Sequence, residues 1–313
     1  MLCAKIVVKK KEVIIMQIPQ FLEEMLQEQY NNEITNKIIE GYKEQRNVTL
    51  RINTIKTTKE KIKECLNQAK IEFQEVDWNR DALIIKNASE EEIRKLEIYE
   101  NGEIYLQSLS SMLPPIILKP QEGADILDMA AAPGGKTTQI AALSKNKAHI
   151  TACEKNKIRA ERLKYNVDKQ GANVFIMTKD ARYIDDFFSF DQILLDAPCS
   201  GSGTININNN NSKNIFTQKL IERSISLQLA LLKKAIKILK PGKEMVYSTC
   251  SILSCENEEI LKKVLSNEKA EIIPIDFKGI EHIPVLPTKI EGTLNVCPNE
   301  LYEGFFVAKI RKK

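Results

Sequence analysis

The chain has 313 residues, of which 43% are hydrophobic and 28% are charged. This balance excludes fibrous and intrinsically disordered proteins, and the length admits two domains. The longest apolar runs fall well short of the roughly 18 residues that a membrane span needs. Residues 1–15 lack the apolar core and cleavage site of a secretory signal, so we expect a cytoplasmic protein.

The cysteine content indicates neither a disulfide framework nor a metal site. Seven cysteines and two histidines are present, and no two cysteines form a Cys-x-x-Cys pair. Zinc sites and small disulfide-bonded domains both need regular cysteine or histidine spacing. We therefore expect no metal and mostly buried, unreactive thiols.

The net charge of +4 is a weak argument for a nucleic-acid partner. Residues 1–15 carry four lysines and one glutamate, which leaves about +1 for the rest of the chain. Any basic surface must therefore be local. We interpret residues 1–15 as a possible non-native leader, with Met16 as an alternative start.

The first predicted domain, residues 16–101, is a small α+β unit. Apolar residues at helical spacing predict two short helices between Ile18 and Gly41. Ser89 with Glu92 is a capping-box pattern that predicts a further short helix. Nothing here pairs a nucleophile with a base, so packing or substrate docking is favoured over catalysis. The remaining predicted elements are strands at 48–55, 71–77 and 82–86 and a helix at 58–70.

The second predicted domain, residues 102–313, alternates strands with helices. This alternation is typical of a doubly wound α/β fold with a mostly parallel sheet. A long helix, whose apolar face runs from Ile225 to Leu239, is expected to end at Pro241-Gly242. The asparagine-rich stretch 205–214 predicts a flexible loop.

The stretch from Asp125 to Lys136 predicts a strand, a tight turn of small residues and a helix start, as in nucleotide-type binding sites. A P-loop NTPase is one interpretation, but that motif needs a glycine where this chain has Ala130. A Rossmann-like nucleoside site is the other. Glu154 ends the next strand 20 residues after Gly134, where an acid binds ribose hydroxyls, and Asp180 ends the third.

Two cysteines follow strand ends and are expected to face the same crevice. Asp196-Ala197-Pro198-Cys199 closes one strand, and Ser248-Thr249-Cys250 closes the next. A thiolate can add to carbon 6 of a pyrimidine and so make carbon 5 nucleophilic toward a methyl donor, with an acid near the ring. The residues alone do not rank the two thiols.

Four ordered motifs resemble the Sun-type, bacterial 16S rRNA methyltransferase-like family of S-adenosylmethionine-dependent RNA cytosine-C5 methyltransferases. They are Asp-Met-Ala-Ala-Ala-Pro-Gly-Gly-Lys-Thr-Thr at 128–138, Asp-Ala-Pro-Cys-Ser-Gly-Ser-Gly-Thr at 196–204, Tyr-Ser-Thr-Cys-Ser at 247–251 with Glu-Asn-Glu at 256–258, and Glu-Gly-Phe-Phe-Val-Ala at 303–308. Arg-Ile-Asn-Thr at 51–54 and Gln-Ser-Leu-Ser-Ser at 107–111 also match. The resemblance covers roughly residue 16 to the C-terminus.

The resemblance implies a Rossmann-like class I methyltransferase domain preceded by a small RNA-recognition-like α+β domain. It implies that Cys250 is the nucleophile, that Cys199 assists product release, and that Asp196 lies beside cofactor and base. It also implies a monomer that acts on RNA, with rRNA favoured and tRNA as the alternative. S-adenosylmethionine would be held by Ala130, Ala131, Ala132, Pro133, Gly134, Gly135, Lys136, Glu154, Asp180 and Asp196.

Two rival functions remain at this point. An NTPase would bind magnesium and nucleotide at the Gly135-Lys136-Thr137 turn. A non-enzymatic RNA-binding assembly factor would retain the cofactor fold without its chemistry. The intact set of Cys199, Cys250 and Asp196 favours the methyltransferase over the assembly factor, and Ala130 argues against the NTPase.

Overall fold

A computed structural model describes residues 18–208, 216–276 and 278–313. The predicted leader, 1–15, lies outside the described residues, as does the part of the predicted asparagine-rich loop from 209 to 214. Of the helices in the described ranges, none is both long enough and apolar enough to cross a membrane.

The N-terminal part builds a four-stranded antiparallel sheet with helices around it. The strand order is β2-β3-β1-β4. Thr58 caps α3, and Ser89 and Glu92 form the predicted capping box at α4. The elements are α1 Gln20–Gln29, α2 Asn32–Lys43, β1 Thr49–Ile52, α3 Lys59–Gln68, β2 Phe73–Val76, β3 Asn79–Ile85, α4 Glu90–Arg94, α5 Glu97–Glu100 and β4 Ile104–Leu106.

This sheet extends past the boundary predicted at residue 101. β4 pairs antiparallel with β1, with Leu50 opposite Leu106 and Ile52 opposite Ile104. Both Ile52 and Ile104 are buried in the core of this unit. The chain therefore leaves the small sheet after Leu106.

The larger part forms an eight-stranded sheet flanked by helices. Its order is β10-β12-β9-β8-β5-β6-β7, with β11 paired to β12. Single-turn 3₁₀ helices lie at Ala181–Tyr183, Ser202–Thr204 and Ser254–Glu256. The elements are α6 Leu109–Leu118, β5 Asp125–Asp128, α7 Gly135–Leu143, β6 His149–Cys153, α8 Lys157–Gln170, β7 Val174–Met177, β8 Phe190–Asp196, α9 Gln218–Ile238, β9 Leu239–Thr249, α10 Glu258–Leu265, β10 Ala270–Ile273, β11 Leu294–Val296 and β12 Phe305–Lys312.

The five strands from β5 to β9 are parallel, which confirms the predicted doubly wound α/β class. β12 enters antiparallel between β9 and β10. The connection order reverses at β5, because β6 lies on one side of it and β8 on the other. In open α/β sheets, ligands bind beyond the carboxyl ends of the strands at such a switch point.

The predicted end of the long helix is wrong by three residues. α9 ends at Ile238, ahead of Pro241-Gly242. Leu239 is already extended, is buried, and lies opposite Phe190 of β8. Burial of its side chain in the sheet core ends the helix before the proline can.

The N-terminal helices pack against the larger unit. Ile205 and Ile207 are buried among α1, α2 and α9 in one apolar cluster. Tyr30 donates its hydroxyl proton to the carbonyl of Ile252 at 3.0 Å, and the Gln29 amide donates to the same oxygen at 2.9 Å. The last residue of α1 and the residue after it therefore anchor the segment that follows Cys250.

Candidate functional site

Two adjoining clefts lie at the switch point. A cleft of about 330 Å³ is lined by the turn after β5, by Asp196 at the end of β8 and by Cys250 after β9. A narrower cleft of about 40 Å³ is lined by Glu154 and Asp180. Ala130 lines both. The structure therefore brings the predicted residues to one edge of the sheet but divides them between two spaces.

The turn after β5 depends on small residues. Gly134 has φ +110°, a backbone conformation that disfavours side chains, and it directly precedes α7. A Cβ on Gly135 would lie 3.1 Å from the Tyr105 ring. The backbone is further held by Ala131, which donates to the Cys153 carbonyl at 3.0 Å. Glycine at position 135 thus lets the backbone of the turn pass close to the Tyr105 ring, which lines the cleft.

Asp128, at the end of β5, carries a buried oxygen without a partner. Its Oδ2 accepts a hydrogen bond from the Thr137 hydroxyl at 2.7 Å. Its Oδ1 makes no hydrogen bond of ordinary geometry in the described part of the chain, although the Ala130 N–H lies near enough to oppose the rise in the pKa of the carboxyl group, and Asp128 lines the larger cleft. Burial raises the pKa of Asp128 to about 6, in spite of the Thr137 hydrogen bond. Sequence reasoning missed this residue, although it begins the first quoted motif.

Lys136 and Asp196 form an ion pair inside the larger cleft. Lys136 Nζ lies 2.8 Å from Asp196 Oδ2 and donates to the Ser111 hydroxyl at 2.8 Å. Ser248 donates to the other carboxylate oxygen of Asp196 at 2.7 Å. Burial opposes the charge of Lys136, but the neighbouring Asp196 carboxylate outweighs burial and raises the pKa of Lys136. Both oxygens of Asp196 are therefore fixed in direction.

The two predicted reactive thiols are in contact. Cys199 Sγ and Cys250 Sγ are 3.0 Å apart. The hydrogen bond to Cys250, together with burial, raises the pKa of Cys199 well above its ordinary value. Cys250 is among the described residues that line the larger cleft, and Cys199 is not. Of the two sulfurs, Cys250 is the one that faces the space beside Asp196.

The segment around Cys250 is held by buried polar groups. Thr249 donates to the Asn257 side-chain oxygen at 2.6 Å, and the Asn257 amide donates to the Ser251 carbonyl at 2.9 Å. The Cys250 carbonyl accepts from the Gly203 N–H at 3.0 Å. Both neighbours of Cys250 and its own backbone are thus fixed.

Gly203 is packed against Gly304, the residue that precedes β12. A Cβ on this glycine would lie 1.9 Å from the carbonyl oxygen of Gly304. The Gly304 N–H donates to the Gly203 carbonyl at 2.8 Å. This contact explains why glycine is needed in the motif at 196–204.

Glu256 holds the segment after Cys199. One carboxylate oxygen accepts from the Ser200 N–H at 2.7 Å, and the other accepts from the Ser200 hydroxyl at 2.6 Å. Burial raises the pKa of Glu256, in spite of these hydrogen bonds. The motif at 256–258 was the only sequence signal for this residue, and it did not indicate Ser200 as the partner.

The narrower cleft contains two carboxylates that have different hydrogen-bond partners. Glu154 is buried and accepts from the Asn156 N–H at 2.8 Å, with Arg159 at 3.5 Å. Asp180 is paired with Arg182, whose Nη2 lies 2.7 Å from Oδ2. This hydrogen-bonded pairing lowers the pKa of Asp180. In the described ranges, no group of three or more His, Cys, Asp or Glu side chains is arranged to hold a metal ion.

Family models match both parts of the chain. A model described as 16S rRNA methyltransferase RsmB/F matches residues 115–311. A model described as the ferredoxin-like domain of RsmF/B-like methyltransferases matches residues 18–90.

Similar proteins include enzymes named for rRNA and for tRNA. The chain is 37% identical to the ribosomal RNA small subunit methyltransferase F of Shewanella sp. (strain ANA-3), over 84% of this chain and 56% of that protein. It thus spans little more than half of that relative. It is 35% identical to the tRNA (cytosine(49)-C(5))-methyltransferase of Pyrococcus abyssi, over 84% of this chain and 88% of that protein.

A solved structure resembles almost the whole chain. NSun6 from Pyrococcus horikoshii, crystallised with SFG, an analogue of S-adenosylmethionine, superposes with a TM-score of 0.83 at 25% identity. The alignment covers 95% of this chain and 99% of that one.

Proposed function

Because the chain belongs to the family of 16S rRNA methyltransferases RsmB/F, we propose that it methylates carbon 5 of a cytosine in RNA, with rRNA favoured and tRNA as the alternative substrate. The observation that carries the proposal is the convergence of Cys250, Asp196 and Lys136 on one cleft beside the turn after β5. A thiol and an oriented carboxyl group are the groups that cytosine-C5 chemistry requires, and Lys136 orients the carboxyl group of Asp196.

The residues of the turn fit S-adenosylmethionine as cofactor. That molecule carries an ammonium group and a sulfonium centre, and the unpartnered buried oxygen of Asp128 suits a cation. Glu154, in the narrower cleft, is placed for ribose hydroxyls. When bound, the cofactor supplies the electrophilic methyl group that carbon 5 takes up. Ala130 to Lys136 would form its cradle.

The chain's own residues would perform the remaining steps. Cys250 adds its sulfur to carbon 6, and the electron pair of the 5,6 double bond moves to carbon 5. Asp196, aligned by Lys136 and Ser248, faces the ring and stabilises the adduct. A base then takes the carbon 5 proton, the electron pair of that bond restores the 5,6 double bond, and the sulfur–carbon 6 bond breaks with Cys250 leaving as a thiolate. Cys199, whose Sγ lies 3.0 Å from Cys250 Sγ, would assist this release by donating its S–H proton to the departing sulfur.

Trapping of the adduct tests the roles of the two thiols. We expect Cys250→Ala to abolish methylation and Cys199→Ala to accumulate a protein–RNA adduct that survives denaturation. Cys255→Ala is the matched control, because it removes a half-buried thiol outside the two clefts. The adduct is measured on denaturing gels with labelled RNA. An adduct with Cys250→Ala instead would exchange the two roles.

The substrate and the cofactor are tested separately. Bisulfite sequencing of total RNA, with and without the gene, identifies the modified cytosine. The P-loop alternative predicts tight ATP binding, for which Lys136 would have to contact phosphates. In the structure, Lys136 instead contacts Asp196 and Ser111. Calorimetry that detected ATP binding and no S-adenosylmethionine binding would refute the proposal.

A further inference from the structure

A groove of about 390 Å³, separate from the two clefts described above, lies between the two sheet units. Its walls come from α4, α5 and β4 on one side and from α8 on the other. The side chains that matter here are Arg94, Tyr99, Tyr105, Arg162, Asn166 and Lys169.

This groove opens onto the larger cleft. Tyr105, Leu106 and Pro133 line both spaces. Asn166 donates to the Pro133 carbonyl at 2.7 Å and so joins α8 to the turn after β5. A chain lying in the groove would therefore lead directly to the space that Cys250 faces.

The groove is basic. Arg94, Arg162 and Lys169 line it, and no acidic side chain is among its described lining residues. Arg162 is exposed, whereas Glu90 pairs with Arg94 at 2.9 Å and Glu100 lies 3.8 Å from Lys169. The remaining positive charge suits a polyanion, although the chain after residue 15 carries a net charge of only about +1.

Aromatic rings accompany these cations. Lys169 Nζ lies 4.0 Å from the centre of the Tyr99 ring, and the Arg94 guanidinium lies 5.3 Å from it. Tyr165, next to the groove on α8, is 62% exposed. Cations that follow a backbone, interleaved with rings on which bases stack, are typical of single-stranded nucleic-acid binding.

We propose that this groove binds a single-stranded stretch of the RNA substrate next to the target cytosine. The inference rests on the proposed function for the identity of the polyanion. A target base must be unstacked before a thiol can attack its face, so a single-stranded segment is what the neighbouring groove has to hold. Arg162 binds a phosphate, Arg94 and Lys169 add to the positive potential of the groove, and the exposed ring of Tyr165 stacks with a base.

The test is binding of fluorescent 12-nucleotide oligocytidylate, measured as Kd over a range of salt concentrations. Each phosphate contact on a single strand contributes about 0.7 to the slope of log K against log salt. We expect Arg162→Ala to weaken binding severalfold and to lower this slope by about 0.7. Arg162→Lys retains the charge and is expected to retain the slope. Tyr165→Leu removes the exposed ring and is expected to raise Kd about 5-fold or more at an unchanged slope.

Arg80→Ala is the matched control, because its side chain is 90% exposed outside the groove. Unchanged S-adenosylmethionine affinity shows that each variant is folded. Unchanged RNA affinity and slope in Arg162→Ala and in the double variant with Arg94→Ala would overturn the proposal. Equal affinity for oligoglutamate of the same length would also overturn it. If the wild type binds the probe as described but methylates no RNA, the groove stands and the proposed function fails.

Discussion

Replacement of Asp128 by asparagine tests whether burial raises the pKa of the carboxyl group that lies beside the turn after β5. Burial raises the pKa of Asp128 from 3.8 to about 6. Each pKa unit corresponds to about 1.4 kcal/mol, so the ionised form costs the folded protein about 3 kcal/mol. The folded state binds the proton more tightly than the unfolded state. The stabilisation that comes from this tighter proton binding is therefore fully present below about pH 4 and is lost as the pH rises to about 6.

Asparagine keeps an oxygen for the Thr137 hydroxyl but does not titrate. We expect the free energy of unfolding of Asp128→Asn to exceed that of the wild type at pH 7.5 by up to about 3 kcal/mol. The difference should shrink toward pH 4. Urea unfolding of both proteins from pH 4 to 7.5 measures it. Asp77→Asn, at an exposed position, is the matched control.

With saturating S-adenosylmethionine, the free energy of unfolding of the wild type should exceed that of Asp128→Asn. A cation beside Oδ1 favours the ionised carboxylate, so cofactor should stabilise the wild type more than the variant at pH 7.5. A stability difference that did not change with pH would refute the burial argument. Equal stabilisation of both proteins by cofactor would refute the contact with its cationic end.

The remaining predictions concern the segments that hold the thiols. Glu256→Ala should lower the free energy of unfolding by about 2 to 4 kcal/mol, because two hydrogen bonds from Ser200 lose their acceptor, whereas Glu256→Gln should cost about 1 kcal/mol. Equal losses in urea unfolding would show that hydrogen bonding is not the cause. Gly203→Ala should cost about 1 to 3 kcal/mol and most of the methylation rate, because its Cβ meets the Gly304 carbonyl. Gly123→Ala, whose Cβ meets no described atom within 4 Å, controls for backbone strain, and a similar loss of rate there would contradict the steric argument.

Local sequence signals predicted the elements that carry the site. The predicted capping box at Ser89 and Glu92 involves residues three positions apart, so it can be recognised in a short window of sequence. The ends of β8 and β9 put Cys199 and Cys250 on one edge of the sheet because parallel strands end together, and the thiols lie 3.0 Å apart.

Contacts between residues that are far apart in the sequence could not be predicted from such local signals. Ser200 and Glu256 are 56 positions apart, and no pattern in either stretch indicates the other. The unpartnered oxygen of Asp128 is a property of packing, which composition does not encode. The α9 end was misplaced because Pro241-Gly242 is a strong local signal, whereas the buried Leu239 responds to the sheet.

The hydrogen bonds from α1 to Ile252 have a consequence for synthesis. Gln29 and its acceptor are separated by 223 positions. At elongation rates of about 5 to 20 residues per second, α1 leaves the ribosome on the order of 10 to 45 s before its partner exists. Ile252 and the nearby Cys250 are thus synthesised only late in translation, so a chain interrupted before residue 250 would carry the turn after β5 without the thiol that it faces.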